Sequence, residues 1–192
     1  MERIAIISAS VRTGRKSHRV AVYLKKMIED KKLAEVEMLD LMEYSFPLFE
    51  ERFKFQKSPA EKTLDFVNKF KNAGGIIIVT PEYNGGYPAA LKNVVDLFEA
   101  EWKHKPVALS TVSNGQFGGA QTTTSLTFTL WKLKALLSTT PFAVPNIDKS
   151  FNENNIPVLK EETDKRAENF LKELLWCMGL KRNELHTNKP IN

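Results

Sequence analysis

Three short stretches carry side chains whose types and spacing suit a bound ligand. Residues 8–17 place hydroxyls at Ser10, Thr13 and Ser17 and guanidinium forks at Arg12 and Arg15 just before a helical pattern. With the backbone N–H groups of a helix start, those are the requirements of a phosphate monoester. Ser17 would serve equally as a plain N-cap, and Arg15, Lys16 and Arg19 as a solvated helix face. His18 is a further candidate donor to the same phosphate, or a half-exposed histidine of the first turn. Residues 80–97 offer a planar aromatic at Tyr83, amide donors and acceptors at Asn84, and Gly85 and Gly86, which let a flat ligand approach the backbone. A plain turn rich in Pro, Gly and Asn is the alternative there. The third stretch holds Ser113, Asn114 and Gly115, with Gly118 and Gly119 beyond, and on its own is a common turn.

The elements around these stretches give them a common address. Residues 3–8 read as a first strand through Ile4, Ala5, Ile6 and Ile7, and Val20, Leu24, Met27 and Ile28 fall at helical spacing after it. Residues 36–41 make a second strand. Residues 43–59, with Phe46, Phe49 and Phe53, read as an irregular aromatic segment able to wall a pocket. Leu64, Val67 and Phe70 mark a second helix, and the β-branched run Ile76, Ile77, Ile78 and Val79 marks a strand buried on both faces. Pro88 suits the start of the next helix, whose Leu91, Val94, Val95 and Phe98 share one face. A fourth strand at 106–112, a helix over 126–137, a short fifth strand at 142–144, a loop over 147–158, a last helix through Phe170, Leu174 and Met178, and a polar tail complete the chain.

Strands alternating with helices predict an α/β fold with a doubly wound parallel sheet, and about five strands favour the flavodoxin-like order 2-1-3-4-5 with helices on both faces. In such a sheet ligands bind beyond the carboxyl ends of the strands, where all three stretches fall. The first loop lacks both the dinucleotide glycine fingerprint and the P-loop pattern, which argues against a nucleoside triphosphatase.

Composition narrows the function further. The 192 residues suit one domain over 1–192, and 42% hydrophobic with 27% charged residues is an ordinary globular balance. The apolar runs fall short of a membrane span and no signal peptide is visible, which predicts a cytoplasmic protein without membrane contact. The lone cysteine, Cys177, sits on an apolar helical stripe as a packing residue. No metal-ligand spacing stands out. The net charge of +5 is uneven, because residues 1–32 hold nine Lys or Arg against three Asp or Glu. Charges alternate elsewhere and no nucleic-acid-binding signature occurs, so a local phosphate site explains the basic cluster better than nucleic acid.

Ser10-Val-Arg12-Thr-Gly-Arg15, the Pro81-Glu-Tyr-Asn84 stretch and Leu91-Lys-Asn93 together resemble the NADPH-dependent FMN reductase family over most of the chain. The family usually has Gly-Ser where this chain has Ala9-Ser10. The resemblance implies FMN as cofactor and NADPH or NADH as co-substrate. Ser10, Arg12, Arg15 and Ser17, with His18, would hold the phosphate; Pro81, Glu82, Tyr83 and Asn84 would line the ring; Ser113, Asn114, Gly115 and Gly118 would lie under its edge. It further implies hydride transfer to the flavin and on to a small acceptor such as a quinone, free flavin, azo compound or metal oxyanion, in a homodimer or homotetramer. No side chain is needed as catalytic acid, and Glu82 reads as a structural residue. An electron-carrier flavodoxin without nicotinamide oxidation and a flavin-binding regulator are the alternatives.

Overall fold

The computed structural model describes residues 2–186, with side chains through Lys181; the polar tail beyond lies outside the described residues. Its elements are β1 (Arg3–Ser8), α1 (Ser17–Asp30), β2 (Glu35–Asp40), α2 (Leu41–Tyr44), α3 (Glu61–Asn72), β3 (Gly75–Pro81) and α4 (Ala89–Leu97). They continue as β4 (Pro106–Val112), α5 (Ala120–Lys132), β5 (Leu136–Leu137), β6 (Phe142–Val144), α6 (Ile147–Ser150) and α7 (Lys160–His186). All strand pairs are parallel, in the order β2-β1-β3-β4-β5 with β6 also on β4. This is the flavodoxin-like order expected from the βα alternation.

Alternation of side chains across the central strands sets the two layers. Ile4, Ile6, Ile77, Val79 and Ala108 pack against α1 and α7, while Ala5, Ile7, Ile76, Ile78 and Leu109 pack against α3, α4 and α5. Both faces are covered, which is why these strands read as continuous apolar runs. Cys177 is 2% exposed within the α7 stripe, in keeping with a packing role. Phe46 and Phe53 of the aromatic segment lean on the second layer, with Phe46 5.3 Å from Phe66 and 6.0 Å from Phe98 between ring centroids, and Phe46 and Phe49 wall a surface hollow.

Two boundaries differ from the pattern read in the sequence. The helix expected over 126–137 ends at Lys132, and Lys134 turns the chain with φ +61°. Leu136 and Leu137 then pair with Pro106 and Val107, while β6 pairs with Ser110 to Val112 farther along the same strand. The fifth strand is one interrupted edge strand, and two consecutive leucines satisfied either periodicity. The loop expected over 147–158 begins with the single helical turn α6.

Lys105, 5% exposed, donates through Nζ to the carbonyls of Phe70, Lys71 and Ala73 at 3.1, 3.2 and 2.7 Å. These are the carbonyls that a helix C-terminus leaves without partners, so Lys105 closes α3 from the neighbouring strand. Burial, helped by Lys181, pushes its amine down to about 8.

Candidate functional site

Register brings the loops after β1, β3 and β4 to one edge: Ser8 lies level with Asp40 and Val79, and Pro81 with Val112. Between these loops opens a cleft of about 220 Å³, whose lining includes Ser10, Arg12, Ser17, Tyr83, Ser113 and Asn114.

The first loop meets the cleft with the start of α1. Lys16, at the N-cap, contributes no capping side chain, and no acidic residue sits in the first turn. The helix therefore points uncompensated N–H groups and its positive dipole end at the cleft. Ser17 is 3% exposed and its Oγ is buried without a hydrogen-bond partner, the kind of orphan a bound anion satisfies.

Charge in this loop is more neutralised than the sequence suggests. Lys16 and Arg19 face Asp148 of α6, Arg19 also donating to the Phe151 carbonyl at 3.2 Å. Arg15, expected to grip phosphate, instead forks onto both oxygens of Asp40 and donates to the Ser10 carbonyl at 2.9 Å. Three of the five guanidinium donors are thus engaged inside the protein, so Arg15 meets the cleft lining with its fork already on a buried carboxylate and two donors left over. Arg12, exposed, is left as the cluster's cation without a carboxylate partner among the described residues.

His18 takes the second of its two readings, a part-exposed histidine of the first helical turn. Its ring faces β2, with Nδ1 3.0 Å from Ser8 Oγ and 3.6 Å from Asp40 Oδ2, and it borders a separate surface hollow beside Glu43. Burial and then Arg15 lower its pKa, against the opposing pull of Asp40 and Glu43.

The second loop is a tight hairpin. Tyr83 and Gly86 exchange N–H···O bonds of 2.8 and 3.0 Å around Asn84 and Gly85, whose φ values of +51° and +77° are those of a type I′ turn. Asn84 therefore sits at the exposed tip, away from the cleft lining, and Gly85 serves the turn. Tyr83 directs its phenol toward the first loop, 2.8 Å from Ser10 Oγ. Glu82 turns its carboxylate away to accept the Thr122 N–H at 3.0 Å, capping α5, as its reading as a structural residue anticipated.

In the third loop Ser113 and Asn114 line the cleft. Gly115 lies outside that lining and accepts from Asn146 N at 3.0 Å and from Ser113 Oγ at 2.9 Å. Gly118 is buried behind it: its carbonyl accepts from Thr111 Oγ1 at 2.7 Å, and a Cβ there would come 3.1 Å from Ala143. Both glycines build the loop through these contacts. Sequence reasoning missed Asp40 and Ile147. An acid directly after the apolar pair Met38-Leu39, at the carboxyl end of a strand, was the available signal for Asp40.

A parallel sheet of this order, with an anion cradle after β1 facing the loops after β3 and β4, defines a flavodoxin-like mononucleotide-binding protein. The chain belongs to the NADPH-dependent FMN reductase family, matching it over residues 2–149. It is 36% identical over 146 residues to the NAD(P)H-dependent FMN reductase LOT6 of Saccharomyces cerevisiae, covering 69% of this chain and 75% of that one. A quinone reductase of Pseudomonas putida is 30% identical over 122 residues, 60% of this chain and 62% of its own. Among solved structures, the flavoenzyme NAD(P)H:(acceptor) oxidoreductase FerB of Paracoccus denitrificans shares the fold with a TM-score of 0.76 at 20% identity, covering 92% of this chain and 97% of its own.

The donor set fits FMN. An open helix start, an orphaned Ser17 hydroxyl and the unpaired Arg12 suit a phosphate dianion. Among the described residues no cluster suits a metal ion, and no helix is long and apolar enough to cross a membrane.

Proposed function

We propose that the cleft holds FMN and that the chain is an NAD(P)H-dependent oxidoreductase delivering two electrons to a small acceptor, with a quinone as the first candidate. The family match supports the cofactor and the nicotinamide, and the Pseudomonas relative's name supports the quinone. In this reading Ser17, Arg12 and the first-turn N–H groups of α1 hold the phosphate, with Ser10 beside them. Pro81, Glu82, Tyr83, Ser113 and Asn114 flank the remainder of the flavin. Bound FMN supplies the chemistry, accepting hydride from the nicotinamide and returning it to the acceptor. The chain's task is binding, orientation and exclusion of competing reactions, so no side chain is assigned an acid or base role.

The observation that carries this reading is the buried, unpartnered Ser17 Oγ at an uncapped helix start. The same reading takes residues 1–192 as one domain in the cytoplasm. It also takes the chain as a homodimer or homotetramer, supported by Phe128 and Trp131, each 62% exposed on α5.

Titration of the protein with FMN, followed by anaerobic addition of NADPH or NADH and then a benzoquinone, tests it. Uptake of flavin, bleaching of its absorbance by the nicotinamide and recovery on adding quinone are expected. A protein that takes up no FMN contradicts the reading; one that binds FMN but is reduced sluggishly by both nucleotides favours the electron-carrier alternative.

A further inference from the structure

Asp40 closes β2 at 3% exposure, with its carboxylate pinned from several sides. Met42 N donates to Oδ1 at 3.0 Å, His18 Nδ1 approaches Oδ2 at 3.6 Å, and the Arg15 fork spans both oxygens. Nη1 of that guanidinium, one of the two fork nitrogens, also donates to the Ser10 carbonyl at 2.9 Å. A continuous line of contacts thus runs from a sheet strand, through Asp40 and Arg15, to the main chain in the middle of the first loop. Otherwise the loop's internal ties are slight: an Arg15 N to Arg12 O turn bond of 3.1 Å and a long 3.4 Å contact from Arg12 N to Ser10 Oγ. Ser10 in turn meets Tyr83 OH at 2.8 Å, so the same line reaches the second loop.

We propose that Asp40 is a positioning residue for the flavin phosphate: acting through Arg15, it fixes the Ser10 carbonyl and so the shape of the loop that receives the anion. The proposal rests on the FMN reading above. It gives Arg15 a geometric task in place of a charge task. Its positive charge is already matched by a buried carboxylate, and what the fork adds is simultaneous reach to two anchors on different elements. A lysine keeps the charge and cannot make that planar, multi-dentate bridge.

Fluorescence titrations with FMN and with riboflavin, which lacks the phosphate, separate these tasks in the apo full-length chain and in Arg15→Lys, Arg15→Gln and Asp40→Asn. Loosening a supporting group behind a binding site is expected to weaken FMN by about tenfold or more in all three variants, lysine no better than glutamine. Riboflavin affinity is expected to stay within about twofold, since the second loop beside the ring is held by its own Tyr83–Gly86 main-chain pair and does not depend on the Ser10 contact. A merely structural role would lower both flavins together. Wild-type FMN affinity in Arg15→Lys overturns the proposal, because charge alone then suffices. Tighter FMN binding in Asp40→Asn overturns it too, because a released guanidinium then grips the phosphate directly. Should Asp40→Asn not fold, the lysine–glutamine comparison decides. A wild-type chain that binds neither flavin removes the FMN reading itself, an outcome distinct from either reversal.

Discussion

The loops after β1 and β3 leave adjacent parallel strands at the same edge of the sheet, yet different forces shape them. The first is held by side chains from elsewhere: the Arg15 fork to Asp40 and the flanking pairs of Lys16 and Arg19 with Asp148. The second is held by its own main chain, through the paired bonds of Tyr83 and Gly86 around a type I′ turn. Its outward ties are few and none is an ion pair: Tyr83 OH meets Ser10 Oγ, and the Glu82 carboxylate reaches the helix of the third loop, which again depends on backbone conformation at Gly118 and Gly119. A loop that must leave N–H groups and a hydroxyl free for an anion cannot spend them on itself, so its shape comes from charged side chains behind it. Loops that present surface to a flat ligand satisfy their own backbone and depend on turn residues.

The contrast breaks most readily at Asp40. Asp40→Ala leaves the Arg15 guanidinium partly buried without its partner, and breaking such a pair costs about 3 to 5 kcal/mol. Urea denaturation checks this; a loss below about 1 kcal/mol would mean the first loop is as self-supporting as the second. The backbone-held side breaks next at Gly119. Its φ of +84° is costly for any side chain, and an added Cβ would fall 2.8 Å from Thr111 Cβ, so Gly119→Ala is expected to cost about 2 to 3 kcal/mol. The same alanine at Gly85 meets only the flexible end of Gln121, so it carries the conformational cost alone, about 1 to 2 kcal/mol. Equal losses at both glycines would place the strain in φ and not in contact. Glu82→Ala removes the cap of α5 and is expected to cost about 1 kcal/mol in the same denaturation series.

What could be read from the sequence follows the same division. Period and β-branching in Ile4 to Ile7 and Ile76 to Val79 mark buried strands, because each is a local property multiplied along a strand, and the alternation of about five such strands with helices carries the parallel sheet and its order. The hydroxyls of Ser10 and Ser17 and the open helix start were legible, being local too. Partners were not. Asp40 is 25 residues from Arg15 along the chain, and only the level register of Ser8 with Asp40 brings that carboxylate under the first loop. Without it, Arg15 reads as a free phosphate ligand. The choice between the two readings of His18 turns on the same kind of fact, since which side of a first helical turn meets β2 is set by tertiary packing. In the second loop Asn84-Gly85 is a local type I′ signal, and the plain turn it offers is what the chain builds there.

The smallest expected effect concerns His18, which shares the buried carboxylate with Arg15. Burial first, and Arg15 second, hold its pKa below the ordinary 6.5 in the folded chain. On acidification the unfolded chain therefore takes up this proton before the folded one does. The contribution to stability is complete above pH 6.5 and is lost as pH falls from there through the folded value. His18→Asn removes that titration, so the difference in urea midpoint between variant and wild type should change across this window, by under about 1 kcal/mol for a side chain this open to solvent. A change of opposite sign, with wild type gaining on the variant as pH falls, would show that Asp40 has energy to spare for a charged imidazole. The Arg15 fork would then not saturate the carboxylate, and the first loop would be held less rigidly than its contacts imply.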